Sequence, residues 1–160
     1  MPFDERTFRK AMGCFATGVT VVTTVDAGGA PVGVTVNSFT SVSLDPPLVL
    51  FCLDKRSSAL TAFSRGRFVI NILREDQKEV SIAFASREGK NWSEIGWHKG
   101  TDDVPVLDHC LAHFDCSVQS VADGGDHAII IGRVEHLDAQ AGGQPLLYYR
   151  GAYATLKDGA

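Results

Sequence analysis

Short β-rich runs separated by turn-forming residues are the feature that most limits how this chain can fold. The run ATGVTVVTTV at 16–25 is rich in β-branched residues and predicts a strand. The turn sequence DAGGAP at 26–31 follows it, and VGVTVNS returns, so the two runs predict a β-hairpin. Similar runs recur as LVLFCLD, RFVINIL, CLAHFDCSVQSV, HAIIIGRVEHL and PLLYYRGAYATL. Because LVLFCLD at 48–54 is apolar at successive positions, we expect it to be buried on both faces.

Three segments carry short helical patterns between these strands. Asp4 can cap a first helix, and Ser57 or Ser58 can cap a second helix that runs through residue 63. Residues 76–85 place apolar side chains at helical spacing, with Asp76 as the expected cap.

Six or seven strands with mostly hairpin-like connections favour a closed antiparallel β-barrel over a βαβ sheet. Residues 86–109 contain two tryptophans among polar residues and predict an ordered loop. A length of 160 residues corresponds to one domain, and no boundary is visible within 1–160. We therefore expect a single, mainly β domain with a few short helices.

Charge and cysteine content exclude several classes of partner. The net charge of −4 provides no basic field for nucleic acid or for an anionic membrane. The charged N-terminal segment lacks the apolar core of a signal peptide, and no apolar run is long enough to span a bilayer. Four cysteines without a CxxC pattern indicate reduced, buried thiols, which we expect in a cytoplasmic protein.

Common catalytic and metal-binding motifs are missing from the sequence. It contains no phosphate-binding loop GxxxxGK[ST], no GxGxxG fingerprint and no GxSxG nucleophile elbow. His109 and His113 flank Cys110, but on a strand these side chains would lie too far apart to chelate one ion, so no metal site is expected. Asp102 and Asp103 lie in a polar stretch and are expected to be solvated.

Small hydrogen-bonding side chains crowd one stretch between two apolar runs. They are Thr35, Asn37, Ser38, Thr40, Ser41 and Ser43. Turn chemistry would explain part of this crowd. A second hydroxyl pair, Ser57 and Ser58, follows a predicted strand beside Lys55 and Arg56, which is a favourable setting for a phosphate. One cluster could hold a polar heterocycle and the other its phosphate.

The sequence resembles the flavin reductase-like family, the small NAD(P)H:flavin oxidoreductases that serve two-component monooxygenases. It looks most like the reductases paired with aromatic-ring and steroid-ring hydroxylases. The resemblance rests on FATGVTVVTT, TVNSFTSVSLDPPLVLF, the serine pair after LDKR, FVINIL, GDH and PLLYYRGAY, in that order and spacing. It implies a split β-barrel of the FMN-binding, Greek-key type, and a homodimer.

The resemblance also implies a set of site residues. Thr35–Ser38 would line the flavin ring, and Leu53–Ser58 would follow its edge and ribityl chain to the phosphate. His127 would lie beside the nicotinamide, and Tyr153 would belong to the segment that closes the site. The full expected set is Thr35, Val36, Asn37, Ser38, Ser41, Leu53, Asp54, Lys55, Ser57, Ser58, Phe84, Arg87, Trp92, His127 and Tyr153.

One segment departs from the family pattern. Where many relatives carry Asp-Arg-Phe before a Gly-Trp pair, this chain has Lys90, Asn91 and Trp92. An arginine that meets a flavin phosphate is therefore missing, although Arg87 or Lys90 can substitute for it. The choice between FAD and FMN stays open at this point.

The implied reaction is transfer of a hydride from NADH to N5 of FAD or FMN, with NADPH as the alternative donor. The protein would stack the two rings at reacting distance. Reduced flavin would then pass to a separate oxygenase that hydroxylates an aromatic or steroid ring. Two alternatives remain: a non-catalytic flavin- or haem-binding module, and an oxidase of a pyridoxal-type vitamer, which would need a basic phosphate clamp that the sequence lacks.

Overall fold

The computed structural model describes residues 2–86 and 92–157, and these residues form a mainly antiparallel β structure. Their strands are β1 (Thr17–Gly18), β2 (Thr20–Val25), β3 (Pro31–Val36), β4 (Thr40–Leu44), β5 (Pro47–Asp54), β6 (Arg67–Ile72), β7 (Trp97–Lys99), β8 (Pro105–Leu107), β9 (Ala112–Gly124), β10 (His127–Ala139), β11 (Leu147–Tyr149) and β12 (Ala152–Ala154). Their α-helices are α1 (Glu5–Met12), α2 (Leu60–Phe63) and α3 (Lys78–Ala85). None of the helices in these residues is long and apolar enough to span a bilayer.

The main sheet has seven strands in the order β3-β2-β6-β9-β10-β5-β4. Its two end strands, β3 and β4, are consecutive in the chain and are joined by residues 37–39. Backbone pairing does not close the ring between them, but Ser38 ties this link to β5. The Cys52 amide donates to Ser38 Oγ at 2.9 Å, and the Ser38 hydroxyl donates to the Cys52 carbonyl at 3.3 Å. The expected antiparallel barrel is confirmed, with a split between β3 and β4.

Aromatic side chains fill the inside of this barrel. The ring of Phe51 makes edge-to-face contacts with Phe63 and Phe68, at centroid distances of 5.7 and 5.2 Å. A second buried cluster, which includes Val21, Leu73 and Phe84, lies on the other side of β2 and β6. Those two central strands are therefore buried on both faces.

β5 differs from the expectation that it would be covered on both sides. Its residues alternate between buried and more exposed positions along the strand. The outward side chains Leu48, Leu50 and Cys52 are half-buried, and Ile129 and Ile131 lie directly opposite Cys52 and Leu50 on β10. These five residues, here called the outer sheet patch, belong to neither buried cluster of the described chain. The expectation is wrong within one copy of the chain, because the outward side chains of β5 remain partly exposed.

The helix caps agree with the sequence pattern in one case of three. Asp4 caps α1 and accepts the Thr7 amide at 2.7 Å, as expected. Asp76 is not a cap, because it lies inside a 3-10 turn that precedes α3. The residue before α2 is Ala59, so neither predicted serine is its N-cap, although Ser57 Oγ accepts the Ala59 amide at 3.3 Å.

The stretch predicted as an ordered loop contains a small sheet of its own. β7 and β8 pair with Trp97 opposite Leu107. Buried Asn71 fastens this sheet to the barrel, because its side-chain oxygen accepts the Leu107 amide and its nitrogen donates to the Val21 carbonyl, both at 2.9 Å. Short strands of three residues carry too little pattern to be predicted.

The cysteines are free, as expected, but not all of them are buried. Burial raises the pKa of the Cys110 and Cys116 thiols to about 12, which keeps them protonated and unreactive. Cys14, in contrast, is exposed after α1.

Candidate functional site

A cleft of about 1200 Å³ opens beside α2. Its walls are the β2–β3 hairpin, the end of β5, the segment 56–66 and the C-terminal end of α3. Seven of the predicted site residues line it: Thr35, Leu53, Asp54, Ser57, Ser58, Phe84 and Trp92. The sequence pattern and the cleft therefore agree on the turn after β5 and on the aromatic wall.

The other predicted residues are distributed around the cleft. Val36 points into the core, and Ser38 is engaged with Cys52. Lys55 forms an ion pair with Asp123 at the tip of the β9–β10 hairpin. Seven predicted site residues do not line the cleft: Val36, Asn37, Ser38, Ser41, Lys55, His127 and Tyr153. Arg87, like Lys90 and Asn91, lies outside the described residues.

The turn after β5 presents the serine pair. The Ser57 amide donates to the Asp54 carbonyl at 2.9 Å, and the Ser57 carbonyl accepts the Leu60 amide at 3.1 Å. These bonds fold the chain back directly after the strand and hold Ser57 half-buried while Ser58 stays exposed. Two hydroxyl groups thus face the cleft on a backbone that is fixed at both ends.

Asp54 and Arg56 neutralise each other at the mouth of this turn. The Arg56 guanidinium lies 2.7 Å from Asp54 Oδ2, and the Arg56 amide donates to Asp54 Oδ1 at 2.8 Å. These bonds hold the pKa of the Asp54 carboxyl well below its usual range, so it is ionised at neutral pH. Asp54 is therefore not available as a proton donor at that pH.

The aromatic wall depends on a glycine in β3. A Cβ built on Gly33 would lie 2.5 Å from Cε1 of Phe84, so only a residue without a side chain lets α3 approach this closely. Phe84 also makes an edge-to-face contact with Trp92 at 4.9 Å. The Thr35 hydroxyl donates to the Ser81 carbonyl at 2.7 Å, which fixes α3 against β3.

Tyr153 supports this helix from the other side. The hydroxyl oxygens of Tyr153 and Ser81 are 2.8 Å apart and share a hydrogen bond. The Lys78 ammonium lies 5.7 Å from the centre of the Tyr153 ring. Tyr153 therefore contacts α3 directly and is not among the residues that line the cleft.

His127 lies at the first position of β10, on the strand next to Asp54, which lines the cleft. It is directly opposite Asp54 in the sheet, so the two side chains project from the same face. Its Nδ1 is 2.8 Å from a carboxylate oxygen of Asp126, and this bond lowers the pKa of the Asp126 carboxyl. The ring is 42% exposed, which leaves its other edge accessible to a ligand.

Two parts of the cleft were not among the predicted site residues. One is the turn 26–30 of the β2–β3 hairpin, and the other is Arg65, the second residue after α2. Turn residues and a single exposed arginine have no distinctive sequence pattern, so only the folded arrangement brings them to the same cleft.

No group of three metal-binding side chains occurs within residues 2–86 and 92–157. His113, considered above as a ligand, has its Nε2 2.7 Å from the Leu107 carbonyl oxygen. Asp102 and Asp103 are exposed and pair with Arg67 and Lys99.

Known proteins resemble this chain in both sequence and structure. Residues 12–157 match the family model described as "Flavin reductase like domain". A "Probable flavin reductase" from Rhizobium meliloti is 50% identical, over 96% of this chain and 49% of its own length. Reductase subunit HsaB of a flavin-dependent monooxygenase from Rhodococcus jostii is 44% identical, over 96% of this chain and 79% of its own.

A solved structure extends the likeness to three dimensions. The NADH:FAD oxidoreductase SgcE6 of Streptomyces globisporus, in complex with NAD and FAD fragments, superposes with a TM-score of 0.93 at 31% identity. The match covers 100% of this chain and 97% of that one. The Rhizobium relative is about twice as long as this chain, so the match concerns half of that protein. The resemblance inferred from the sequence is confirmed, and the chain belongs to the flavin reductase-like family of oxidoreductases.

Proposed function

We propose that this protein reduces FAD or FMN with NADH and supplies the reduced flavin to a separate monooxygenase component. The observation that carries the proposal is the cleft that brings Ser57 and Ser58 together with Leu53 and Phe84. Family membership and the relatives' names support the reductase reaction and the separate oxygenase. The preference for NADH over NADPH is supported by the names of two relatives, the Streptomyces NADH:FAD oxidoreductase and the FMN reductase (NADH) SmoA of Agrobacterium fabrum.

The residues of the cleft fit a flavin nucleotide. Leu53 and Phe84 are almost fully buried and give the cleft an apolar floor, and the serine hydroxyls can donate to a phosphate. The volume of about 1200 Å³ is not smaller than the roughly 300 to 1,000 Å³ of a typical small-molecule site, so a flavin nucleotide is not excluded by size. Bound flavin would supply the hydride acceptor, while these side chains hold and orient it and exclude water from the ring.

His127 would position the second ligand. Its ring lies on the strand next to Asp54 and keeps one side exposed, so it can contact the nicotinamide amide group. Asp126 holds the ring in place through Nδ1. The histidine does not take part as a nucleophile, since the hydride passes directly between the two rings.

We also propose that two copies of the chain form a homodimer. The apolar tail was the expected reason, but Leu146 is buried and Tyr148 packs against Tyr153 within the chain. The outer sheet patch is the better candidate, because a strand that is apolar on both faces needs a cover for its second face. One domain over 1–160, a cytoplasmic location and hydroxylation of aromatic or steroid rings by the partner remain predictions.

Turnover with three flavins tests the proposed function. The protein is mixed with NADH and FAD, FMN or riboflavin, and absorbance of the nicotinamide is followed. We expect NADH oxidation that requires both protein and flavin. Replacing Ser57 and Ser58 by Ala together should raise the KM for FAD and FMN about tenfold, since a hydrogen bond to a charged group contributes about 1.5 to 3 kcal/mol. The KM for riboflavin, which has no phosphate, should change less than about twofold.

Ser120→Ala, an exposed change on β9, is the matched control and should leave all three KM values unchanged. An equal loss for all three flavins would mean that Ser57 and Ser58 hold only the turn. Flavin binding without any NADH oxidation would overturn the reductase proposal and favour a non-catalytic binding module.

A further inference from the structure

The helix α3 reaches the cleft with its C-terminal end but buries few of its own side chains. Of its eight residues, only Ser81 and Phe84 are buried. Phe84 lines the cleft together with Ala85 and Ser86, which follow it directly. A short helix with few buried contacts has a low local stability, so its position depends strongly on each contact that remains.

Ser81 joins this helix to two different strands. It is fully buried, and its carbonyl oxygen accepts the Thr35 hydroxyl of β3 at 2.7 Å. Its own hydroxyl shares a hydrogen bond of 2.8 Å with the hydroxyl of Tyr153 on β12. A buried hydroxyl that loses its partner costs free energy, so the pair of hydroxyls favours one position of the helix.

The ring of Tyr153 is itself fixed on two sides. It makes an edge-to-face contact at 5.5 Å with Tyr148, which lies directly opposite on β11. The Lys78 ammonium, on the first turn of α3, lies 5.7 Å from the ring centre. Because Lys78 and Ser81 are three residues apart on the helix, Tyr153 contacts one face of α3 at two points.

The position of Ser81 determines the position of Phe84. The two residues are three apart, so they lie on the same face of α3 and move together. A Cβ built on Gly33 would lie 2.5 Å from Cε1 of Phe84, so the ring already packs directly on the backbone of β3. A close-packed ring of this kind cannot absorb a tilt of the helix, and the tilt would therefore change the floor of the cleft.

We propose that Ser81 and Tyr153 are positioning residues, whose shared hydrogen bond sets how α3 presents Phe84 to the flavin ring. Tyr153 acts through the helix and not by contact with the flavin, so the C-terminal strand β12 contributes to the site indirectly. This inference rests on the proposed function, because it assumes that the cleft holds the flavin.

Removing the two hydroxyls one at a time and together tests the inference. Dissociation constants for FAD, FMN and riboflavin are measured by flavin fluorescence for the parent protein, Tyr153→Phe, Ser81→Ala and the double variant. Each single change should raise all three constants about fivefold, the scale of one net hydrogen bond, because the three flavins share the same ring. The double variant should bind no more weakly than the weaker single variant, since it leaves neither hydroxyl without a partner.

Tyr149→Phe is the matched control, because it removes the same group from a side chain that is 40% exposed on β11. It should keep the parent constants. Losses that add in the double variant would overturn the inference, since Tyr153 would then act on the flavin independently of Ser81. A lower midpoint of urea denaturation with unchanged constants would also overturn it, because the bond would then stabilise only the fold. If the parent protein binds none of the three flavins, the proposed function fails, and this inference fails with it.

Discussion

At the scale of single residues, His127 connects the sheet to the proposed chemistry. Its ring lies opposite Asp54, at the point where β5 enters the cleft. If it orients the nicotinamide, His127→Ala should slow flavin reduction by NADH by up to about 100-fold, the cost of misplacing a reacting pair. Flavin affinity should change little, because the contact is with the second ligand. Stopped-flow reduction at saturating flavin measures the rate, and fluorescence titration measures the affinity.

His136→Ala provides the comparison for this variant. His136 is exposed near the other end of β10, so its loss should leave both the rate and the affinity at parent values. A parent-like rate in His127→Ala would show that the histidine only completes its own turn. A collapse of flavin affinity instead would place it in the flavin pocket.

Residue-level prediction succeeded where the chemistry is local. The two serines after β5 are consecutive in the sequence and could be predicted from it, and the structure places both of them on the cleft. The prediction for the segment Thr35–Ser38 agrees less well with the cleft. Neighbouring side chains on a strand point to opposite faces, and Val36 therefore points into the core. Arg65 was missed because its meaning depends on the hairpin turn 26–30, which is distant in sequence.

At the scale of elements, the contact between β3 and α3 shapes the aromatic wall. Gly33→Ala would place a methyl group 2.5 Å from Cε1 of Phe84, so α3 must move or Phe84 must leave its position. Overpacking of this kind should lower the free energy of unfolding by about 1 to 3 kcal/mol. Urea denaturation measures it as a lower midpoint with an unchanged slope.

Gly18→Ala is the control, since a Cβ at Gly18 in β1 meets no atom within 4 Å. Its effect should stay within about 0.5 kcal/mol. Combining Gly33→Ala with Phe84→Leu should recover part of the loss, because the smaller side chain relieves the crowding. An unchanged midpoint for Gly33→Ala would contradict the proposed packing.

The sequence predicted the elements that depend on contiguous pattern and missed those that do not. The β2–β3 hairpin and the β9–β10 hairpin follow from apolar runs joined by turn residues, and both are present. β4 was not predicted because its five residues are mostly small and polar, as is typical of a loop. β7 and β8 were missed because three residues each carry too little pattern to be predicted.

At the scale of the whole molecule, the outer sheet patch predicts how copies of the chain associate. A glutamate at Ile131 would put a charge in the middle of an apolar face. We expect the parent protein to have twice the mass of one chain by light scattering at micromolar concentration. We expect Ile131→Glu to dissociate it to single chains, while circular dichroism stays unchanged.

Met12→Glu distinguishes this face from the apolar side chains exposed on α1. Met12 is 54% exposed on α1, which carries no buried residue. If Met12→Glu dissociates the protein and Ile131→Glu does not, the interface lies on α1 instead. A parent protein that is already a single chain would refute the dimer altogether.

Antiparallel architecture was predictable because it follows from strand count and connection length, and the family from motif order. The association of copies was not predictable, since the apolar pattern of β5 indicates only that both faces of the strand are to be covered. It does not say whether the cover comes from the same chain. The tail PLLYYRGAYATL is equally ambiguous, because Leu146 is buried whereas Tyr149 and Leu156 are each 40% exposed.

The split between β3 and β4 leaves the barrel with two edge strands, and exposed edges invite other chains to add a strand. β4 limits this hazard through a bulge between Ser41 and Ser43, which interrupts the regular row of backbone donors and acceptors. β3 begins with Pro31, which has no amide proton to offer at that end. Both edges are therefore protected against the addition of strands, so the proposed dimer would form through side-chain contacts across a sheet face and not through its open edges.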